Sequence, residues 1–365
     1  VGDTHGQFHD VVHLLELAGG SPSAQRRFVF NGDFVDRGAW GVETLALLMG
    51  WKALAPASVT LLRGNHETEG CTEVYGFKQE LMAKFGAQAA RGLFRKVVRM
   101  FSALPLAAVV GRSAMVCHGG LFRDPGTKSR SGRGARAAAA AAAAAEEAAG
   151  GPSLAMGSLE TLREAYRGGT DPDGEGKELV ASDVIWSDPG VESGMVPNYQ
   201  RGIGVVFGPD CTERFLRENG LRLVIRSHEG PDAREKREDM PNMLSGYSVD
   251  HRVSSGMLVT VFSAPDYPQF QEPGERHNNK GAFLVLRAPD WAAPEVVSFT
   301  AQPRPPASAY YDLDTGDSDT EAPVATGSST DPCTTPASSE ATPTTRATAA
   351  PPETAAERDR ASRFS

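Results

Sequence analysis

The stretch Asn31-Gly32-Asp33-Phe34-Val35-Asp36-Arg37-Gly38 decides the fold. It follows the short apolar run Phe28–Phe30, which predicts a buried strand. Carboxylates just past a strand end, on a turn loosened by glycine, are placed as ligands or catalysts, because open α/β sheets bind ligands at that edge. We therefore interpret Asp33 as a metal ligand, Asp36 as a carboxylate that supports the site and Arg37 as a clamp for an anion.

Comparable polar motifs recur at other predicted strand ends. The chain opens with Gly2-Asp3-Thr4-His5-Gly6, and three further apolar runs each end in a motif: Val59–Leu62 in Arg63-Gly64-Asn65-His66-Glu67, Ala114–Cys117 in His118-Gly119-Gly120, and Leu221–Ile225 in Arg226-Ser227-His228-Glu229. Four of the eight histidines of the chain fall in these motifs. A single motif of this kind means little, but their recurrence in this order is very improbable by accident.

The residue types in these motifs point to metal-assisted chemistry. Carboxylate and amide oxygens mixed with imidazoles suit two divalent first-row metals, and the candidate residues are Asp3, His5, Asp33, Asn65, His66, His118 and His228. Two metals about 3.5–4 Å apart need a bridging carboxylate, and together they lower the pKa of a shared water, which yields a hydroxide suited to in-line attack on phosphorus. Arg37 and Arg201 would neutralise the phosphoryl oxygens. His66 would protonate the leaving alkoxide if Asp36 holds its imidazole in the right tautomer.

The composition sets limits on compartment and partners. The 365 residues fit one large domain or two ordinary ones, and a formal net charge of −9 argues against a general nucleic-acid binder. No run is long and apolar enough to span a membrane, and no signal peptide is visible. The chain has four cysteines, Cys71, Cys117, Cys211 and Cys333, which do not indicate a disulfide framework. We therefore expect the protein to work in a reducing compartment, the cytoplasm or the nucleus.

Hydrophobic periodicity divides the chain into a catalytic domain and a tail. We place the catalytic domain at residues 1–302 and expect it to begin inside a truncated strand, because the first motif starts at Gly2. A low-complexity insertion at about 124–157 carries Lys128, Arg130, Arg133, Arg136 and a run of alanines. Residues 303–365 are rich in Pro, Ser, Thr and Ala and predict a disordered tail.

The same periodicity predicts the elements of the catalytic domain. Helices are expected over Phe8–Leu15, Val42–Leu54, Val74–Phe101, Ser158–Tyr166 and Thr212–Glu218. Besides the strands that precede the motifs, strands are expected over Met257–Phe262, Ala282–Leu286 and Val296–Phe299, and a charged loop over Asp232–Asp239.

The ordered motifs resemble the PPP class of serine/threonine protein phosphatases. The resemblance covers roughly residues 1–302 and adds Ser263-Ala264-Pro265-Asp266-Tyr267 to the motifs above. Within the class the chain is most similar to the plant type-7 phosphatases, as indicated by Asp36–Gly41, Gln200–Gly204, Gly208–Glu213, Ser227–Arg237 and Pro265–Phe270.

This resemblance implies an α/β calcineurin-like metallophosphoesterase fold, with a central β-sandwich flanked by helices and a dinuclear metal site at the strand ends. It implies that one metal is bound by Asp3, His5 and Asp33, and the other by Asp33, Asn65, His118 and His228. The metals expected are manganese in vitro, with iron or zinc as alternatives, and the expected substrates are phosphoproteins.

The resemblance also assigns the catalytic side chains. It implies that Arg37 and Arg201 bind the phosphate, that His66 with Asp36 serves as the acid, and that Tyr267 lies at the cleft rim. Pro268 follows this tyrosine where better-known relatives have cysteine, which puts sensitivity to toxins of that loop in doubt.

Several other functions compete with this one. A dinucleotide polyphosphate hydrolase shares the first three motifs, and a calmodulin-linked binding scaffold is a non-enzymatic alternative, with calmodulin bound through the insertion. Cys117 and Arg123 satisfy the Cys-x5-Arg pattern of thiolate phosphatases. The loop Asp171–Gly176 has acids at calcium-loop spacing, but Ser182 stands where a calcium loop needs glutamate, so we expect a plain turn.

Overall fold

The computed structural model describes residues 1–126, 153–270 and 276–311, which all belong to one compact unit. The helices are α1 (Phe8–Leu17), α2 (Gly41–Leu54), α3 (Glu69–Val74), α4 (Phe77–Phe101), α5 (Leu159–Glu164), α6 (Leu179–Trp186), α7 (Pro209–Asn219) and α8 (Pro231–Glu235). The strands are β1 (Phe28–Phe30), β2 (Val59–Leu61), β3 (Ala107–Val110), β4 (Ala114–Cys117), β5 (Asp188–Pro189), β6 (Met195–Pro197), β7 (Val205–Phe207), β8 (Leu223–Arg226), β9 (Tyr247–Val253), β10 (Gly256–Val261), β11 (Gly281–Val285) and β12 (Glu295–Phe299).

A five-stranded sheet in the order β3-β4-β8-β10-β9 forms the centre of the fold. Strands β4, β8 and β10 are parallel, with Val116 opposite Ile225 and Val259 opposite the same residue. The parallel pair β1-β2, the antiparallel pair β11-β12 and the small sheet β5-β7-β6 complete the strands of the described residues.

The central sheet is covered on both faces. Along β4, Met115 and Cys117 join a core that includes side chains of α6 and α7, whereas Ala114 and Val116 join a core that includes side chains of β11 and β12. This alternation follows from the period of two of a strand. The sheet therefore lies between helices and further strands, which confirms the expected sandwich flanked by helices.

The parallel strands bring the sequence motifs to one edge of this sandwich. The motifs follow the carboxyl ends of β1, β2, β4, β8 and β10. Asp3 forms an isolated parallel bridge with Phe262, directly after β10, so the first motif joins the same edge.

Most of the predicted elements near the site are confirmed, with two corrections. The predicted helix over Val74–Phe101 is divided, because α3 ends at Val74 and Gly76 adopts φ +117° before α4 begins. The predicted loop over Asp232–Asp239 begins as α8, which Pro231 starts at its first turn.

The described ends of the insertion pair with each other. Arg123 forms an antiparallel bridge with Met156, and the backbone N–H of Asp124 donates to the carbonyl of Ala155 at 2.8 Å. The polyalanine run and the basic residues of the insertion lie outside the described residues, as does the tail beyond Tyr311. Among the helices that the structure describes, none has the length and apolar character needed to cross a membrane.

Candidate active site

Five residues of the predicted site adopt positive φ angles. They are His5 (40°), Asp33 (51°), Asp36 (68°), Arg37 (65°) and His228 (73°). Residues other than glycine rarely adopt this conformation, and each instance costs on the order of 1–3 kcal/mol. Strain concentrated at these positions indicates that the turns are held by the surrounding packing to aim side chains at a common point.

Asp33 stands between two groups of potential metal ligands. One group is His5, Asp33 and His66, and the other is Asp33, His118 and His228, all buried. Oδ2 of Asp33 faces Nε2 of His5 at 3.8 Å, and Oδ1 faces Nε2 of His118 at 3.3 Å. Each oxygen of this carboxylate thus faces a different group, which is one of the ways in which a carboxylate can bridge two metals.

The amide oxygen of Asn65 lies at the centre of the second group. It is 2.9 Å from Nε2 of His118 and 2.9 Å from Nδ1 of His228. Nδ1 of His118 donates to the carbonyl of Asn31 at 2.7 Å, so Nε2 of the neutral ring carries the lone pair that faces Asn65. A cation satisfies this convergence of acceptors, and these donor types fit a divalent first-row metal.

Charge in the second group also favours a cation. Burial, with help from Arg201, holds the pKa of His228 well below its ordinary value, so this imidazole is neutral and free to ligate. Although burial opposes the charge, Asp33 and Asp3 raise the pKa of His118. A divalent ion among these residues would take the place of the proton.

Asp3 lies beside the second group rather than inside either one. Its carboxylate accepts the backbone N–H of His228 at 3.1 Å and is 3.8 Å from Nδ1 of His118. Burial raises the pKa of Asp3 to about 8, whereas the neighbouring histidines His118 and His66 hold the pKa of Asp33 below its usual range despite burial. Ligation by Asp3 stays a prediction.

Glu67 supports the turn that carries Asp33, a role that the sequence analysis missed. Its carboxylate accepts the backbone N–H groups of Asp33 at 2.7 Å, Phe34 at 2.9 Å and Gly64 at 2.9 Å. Burial, followed by the nearby charge of Asp33, raises the pKa of Glu67 to about 7. The residue belongs to the motif at Arg63–Glu67, but nothing in its sequence position revealed which turn it supports.

His66 and Asp36 form the buried pair that the sequence predicted. Nδ1 of His66 lies 2.7 Å from Oδ2 of Asp36, and Oδ1 of Asp36 accepts the backbone N–H of Phe77 at 2.9 Å. Burial raises the pKa of Asp36, and the hydrogen bond with His66 opposes this effect. Because Nδ1 is committed to Asp36, any proton transfer to a substrate must use Nε2; the role of acid stays a prediction.

Arg37 is held at its backbone and at its guanidinium. Its backbone N–H donates to the carbonyl of Tyr75 at 3.0 Å, and its Cζ lies 4.2 Å from the centroid of the Tyr75 ring. The residue is 4% exposed. The hydrogen bond and the ring contact with Tyr75 fix the orientation of the Arg37 guanidinium, a buried cation next to His66.

Arg201 reaches the site through a carboxylate that the sequence analysis did not single out. Asp188 in β5 accepts hydrogen bonds from Arg201, from Arg226 at 2.9 Å and from Asn198 at 2.9 Å. Although burial opposes ionisation, Arg201 and Arg226 lower the pKa of Asp188 to about 2. Asp188 precedes a proline in a motif-poor stretch, so its partners became evident only from the fold.

A chain of buried ion pairs extends from this carboxylate. Arg226 donates to Glu229 at 2.8 Å, and Glu229 also accepts from Arg234 and Arg237 at 2.8 Å each. Arg234 continues the chain to Asp250 in β9, with contacts of 2.9 and 2.8 Å. The network connects the strand end that carries His228 to α8 and to the far edge of the central sheet.

Tyr267 lies against His5. The two rings stack with centroids 5.4 Å apart, and the tyrosine is 1% exposed. Phe262 meets the same ring edge-on at 5.2 Å. The structure thus places Tyr267 beside the candidate metal ligands, and its predicted role at the cleft stays a prediction.

The thiolate alternative conflicts with the structure. Burial raises the pKa of Cys117 to about 12, and Arg123 pairs with the buried carboxylate of Asp183 at 2.7 Å.

In the loop Asp171–Gly176, expected to be a plain turn, Asp171 accepts the backbone N–H of Gly70 at 2.7 Å and Asp173 accepts the backbone N–H of Glu175 at 3.0 Å. Both carboxylates are thus engaged in hydrogen bonds with the backbone.

Residues 1–232 match the family described as calcineurin-like phosphoesterase. Serine/threonine-protein phosphatase 7 of Arabidopsis thaliana is 49% identical over 315 residues, which cover 86% of this chain and 75% of that protein. Serine/threonine-protein phosphatase 5 of Solanum lycopersicum is 36% identical over 304 residues, which cover 83% of this chain and 44% of that protein.

A solved structure supports the same relationship. The protein serine/threonine phosphatase from Saccharomyces cerevisiae with similarity to human phosphatase PP5 superposes with a TM-score of 0.61 at 31% identity. The superposition covers 85% of this chain and 81% of that chain.

Proposed function

The chain belongs to the calcineurin-like phosphoesterase family and within it to the serine/threonine protein phosphatases, and on this premise we propose that it hydrolyses phosphoserine and phosphothreonine in phosphoproteins, without a covalent phosphoenzyme. The observation that carries the proposal is the position of Asp33, whose two oxygens face His5 and His118, next to the buried pair of His66 and Asp36.

We infer that two divalent metals belong to the two groups around Asp33. When bound, they would supply Lewis-acid activation of a water molecule and of the phosphoryl oxygens. The residues that would hold them are His5, Asp33, Asn65, His118 and His228, with Asp3 at the edge of the site. Manganese is the proposed metal in vitro, and iron or zinc are the alternatives.

The side chains around the metals would bind and protonate the substrate. Arg37 and Arg201 are buried cations whose guanidinium groups suit the phosphoryl oxygens, because planar N–H donors match a phosphate. His66 would deliver a proton from Nε2 to the serine or threonine oxygen as its bond to phosphorus breaks. Asp36 would hold the imidazole and stabilise its charged form.

These findings support neither of two alternative functions, the dinucleotide polyphosphate hydrolase and the calmodulin-linked scaffold. The relatives described above are named as protein phosphatases, which favours a phosphoprotein over a dinucleotide polyphosphate. Most of the insertion assigned to calmodulin lies outside the described residues, and neither relative described above is named for that partner. The free, buried thiols of Cys71 and Cys117 support the proposal that the protein works in a reducing compartment, the cytoplasm or the nucleus.

A phosphoserine peptide assay with metal analysis tests this function. The purified chain should release phosphate from the peptide only with divalent metal, and iodoacetamide should leave the rate unchanged because Cys117 is buried. Asn65→Ala should lower both the metal content and the rate. Turnover that survives exhaustive chelation, or that alkylation abolishes, would refute the proposal.

A further inference from the structure

The segment that follows β12 returns to the catalytic edge of the domain. Residues 302–311, here called the strap, are held first at Asp10, whose buried carboxylate accepts the backbone N–H of Gln302 at 2.7 Å. Arg304 then lies 3.7 Å from the carboxylate of Asp266, which belongs to the motif Ser263–Tyr267. The strap therefore runs next to the site rather than away from it.

The far end of the strap packs on the turn between α3 and α4. A Cβ atom built on Gly76 would lie 3.4 Å from Cδ1 of Tyr311 and 3.5 Å from the backbone carbonyl carbon of Tyr310. Gly76 has φ +117°, so the turn both requires glycine and leaves room for the strap. The ring of Tyr311 lies 5.6 Å from Cζ of Arg37.

This turn also holds two residues of the site. The carbonyl of Tyr75 accepts the backbone N–H of Arg37 at 3.0 Å, and the backbone N–H of Phe77 donates to Asp36 at 2.9 Å. The ring of Tyr75 lies 4.2 Å from Cζ of Arg37 and 5.1 Å from the ring of His66. A shift of the turn would therefore change the positions of Arg37, Asp36 and His66 together.

We propose that Tyr311 is a positioning residue for Arg37. The inference rests on the proposed function, in which Arg37 binds the phosphoryl group. The guanidinium lies near two aromatic rings, Tyr75 from the turn and Tyr311 from the strap, and aromatic faces attract cations at these distances. An oriented guanidinium loses less conformational freedom when it binds a phosphate.

The composition of the strap suits this role. Pro303, Pro305 and Pro306 restrict its backbone, which lowers the entropy lost when the segment is held in place. The strap therefore delivers an aromatic ring to the site from a part of the chain whose composition otherwise indicates disorder.

Three variants test the proposal in the full chain. Tyr311→Ala should raise KM for a phosphoserine peptide and weaken inhibition by inorganic phosphate by about threefold to fivefold, the worth of a partly exposed cation–π contact, while kcat changes less. Tyr311→Phe keeps the ring and should restore both constants. Tyr310→Ala is the matched control, because it keeps the backbone and Cβ contacts with Gly76 and should behave like the wild type.

Truncations provide a second test that does not depend on one side chain. A chain that ends after Asp312 should keep the wild-type KM and phosphate inhibition, whereas a chain that ends after Ala309 should show the Tyr311→Ala constants. Thermal melts and metal analysis of each variant establish that the fold and the metal site are intact.

The outcomes separate this inference from the proposed function. A wild-type chain with metal that fails to hydrolyse the phosphopeptide refutes the function itself. An active wild type whose Tyr311→Ala variant keeps both constants refutes the positioning role, as does a Tyr311→Phe variant that is impaired as strongly as Tyr311→Ala.

Discussion

At the scale of single residues, the two nitrogens of His66 have different tasks. Nδ1 is bound to Asp36, and we expect Nε2 to protonate the leaving oxygen. His66→Asn should slow phosphoserine peptide hydrolysis by about 10²–10⁴-fold, the usual cost of losing a general acid. Hydrolysis of p-nitrophenyl phosphate should suffer much less, because its leaving group is stable as an anion. Steady-state rates on both substrates measure the difference.

Metal analysis must accompany this comparison, since His66 also lies close to His5 and Asp33. His66→Asn should keep its metal, whereas Asn65→Ala should lose it. Asp36→Asn should reproduce the substrate-selective loss in milder form. Equal losses on both substrates with metal still bound would show that His66 is not the acid.

If Asp3 is a metal ligand, as predicted, metal binding should depend on pH. Because its pKa is raised to about 8 by burial, Asp3 is mostly protonated at pH 7 in the metal-free protein and must lose this proton to ligate. Metal binding should therefore release protons at pH 7, and affinity should rise with pH until about 8. Calorimetric titration of the chelated protein with Mn²⁺ in two buffers of different ionisation enthalpy measures the protons released.

Asp3→Asn provides the control for this titration, because it removes the carboxyl proton while the other ligands remain. The variant should release fewer protons than the wild type. A wild-type heat of binding that is the same in both buffers would contradict the raised pKa of Asp3 and its role as a ligand.

At the scale of elements, the carboxylate of β5 links the Arg201 loop to β8. The pKa of Asp188 is lowered from 3.8 to about 2, chiefly by Arg201 and Arg226 acting against burial. The resulting stability, about 2 kcal/mol, is fully present above pH 4 and is lost as the pH falls through the folded pKa. Urea unfolding between pH 5 and 2 should show this loss.

Two variants make that measurement specific. Asp188→Asn should flatten the acid limb of the stability profile, because its amide does not titrate, although the variant is less stable throughout. Asp290→Asn changes an aspartate whose side chain is 49% exposed and should keep the wild-type profile. An unchanged slope in Asp188→Asn would show that the acid sensitivity has another origin.

The elements also show where sequence interpretation succeeds. Strands β1, β2 and β4 are short apolar runs ended by polar motifs, so their type and their common edge could be predicted. Strand β9 carries Asp250 and His251, whose partners are Arg234 and Thr212 from other elements. Its burial pattern depends on these distant partners, and no local periodicity reveals it.

The same reason explains the residues missed in the site. Asp33 and His66 could be predicted because each belongs to a motif at a strand end. The tasks of Asp188 and Glu67 depend on which backbone groups and guanidinium groups the fold brings to them. The strap escaped prediction because its proline-rich composition resembles that of the tail, while its contacts lie at Asp10 and Gly76.

At the scale of the whole molecule, the insertion is expected to be dispensable for folding. Its ends are joined by the bridge between Arg123 and Met156 and by the hydrogen bond from the backbone N–H of Gly157 to the carbonyl of Phe122 at 2.9 Å. Deletion of Lys128–Gly150 should therefore change the thermal midpoint by only a few degrees at most, because loop-closure entropy varies slowly with length. Scanning calorimetry measures it.

The control for this deletion removes a segment of the domain instead. A chain that lacks residues 153–157 loses Met156, the bridge partner of Arg123, and should have a much lower melting temperature. A large fall in the melting temperature after deletion of the insertion alone would show that these residues contribute to the core.

The five positive φ angles of the site have a consequence for selection. Glycine at any of these positions would relieve the backbone strain, but it would also leave a cavity where the buried side chain stood. Asparagine at Asp33 or Asp36 keeps the volume of the side chain, so a population of variants sorted only for resistance to heat should relieve strain there first. Such survivors would lose activity, so selection for a more stable form of this enzyme requires a screen for turnover in every round.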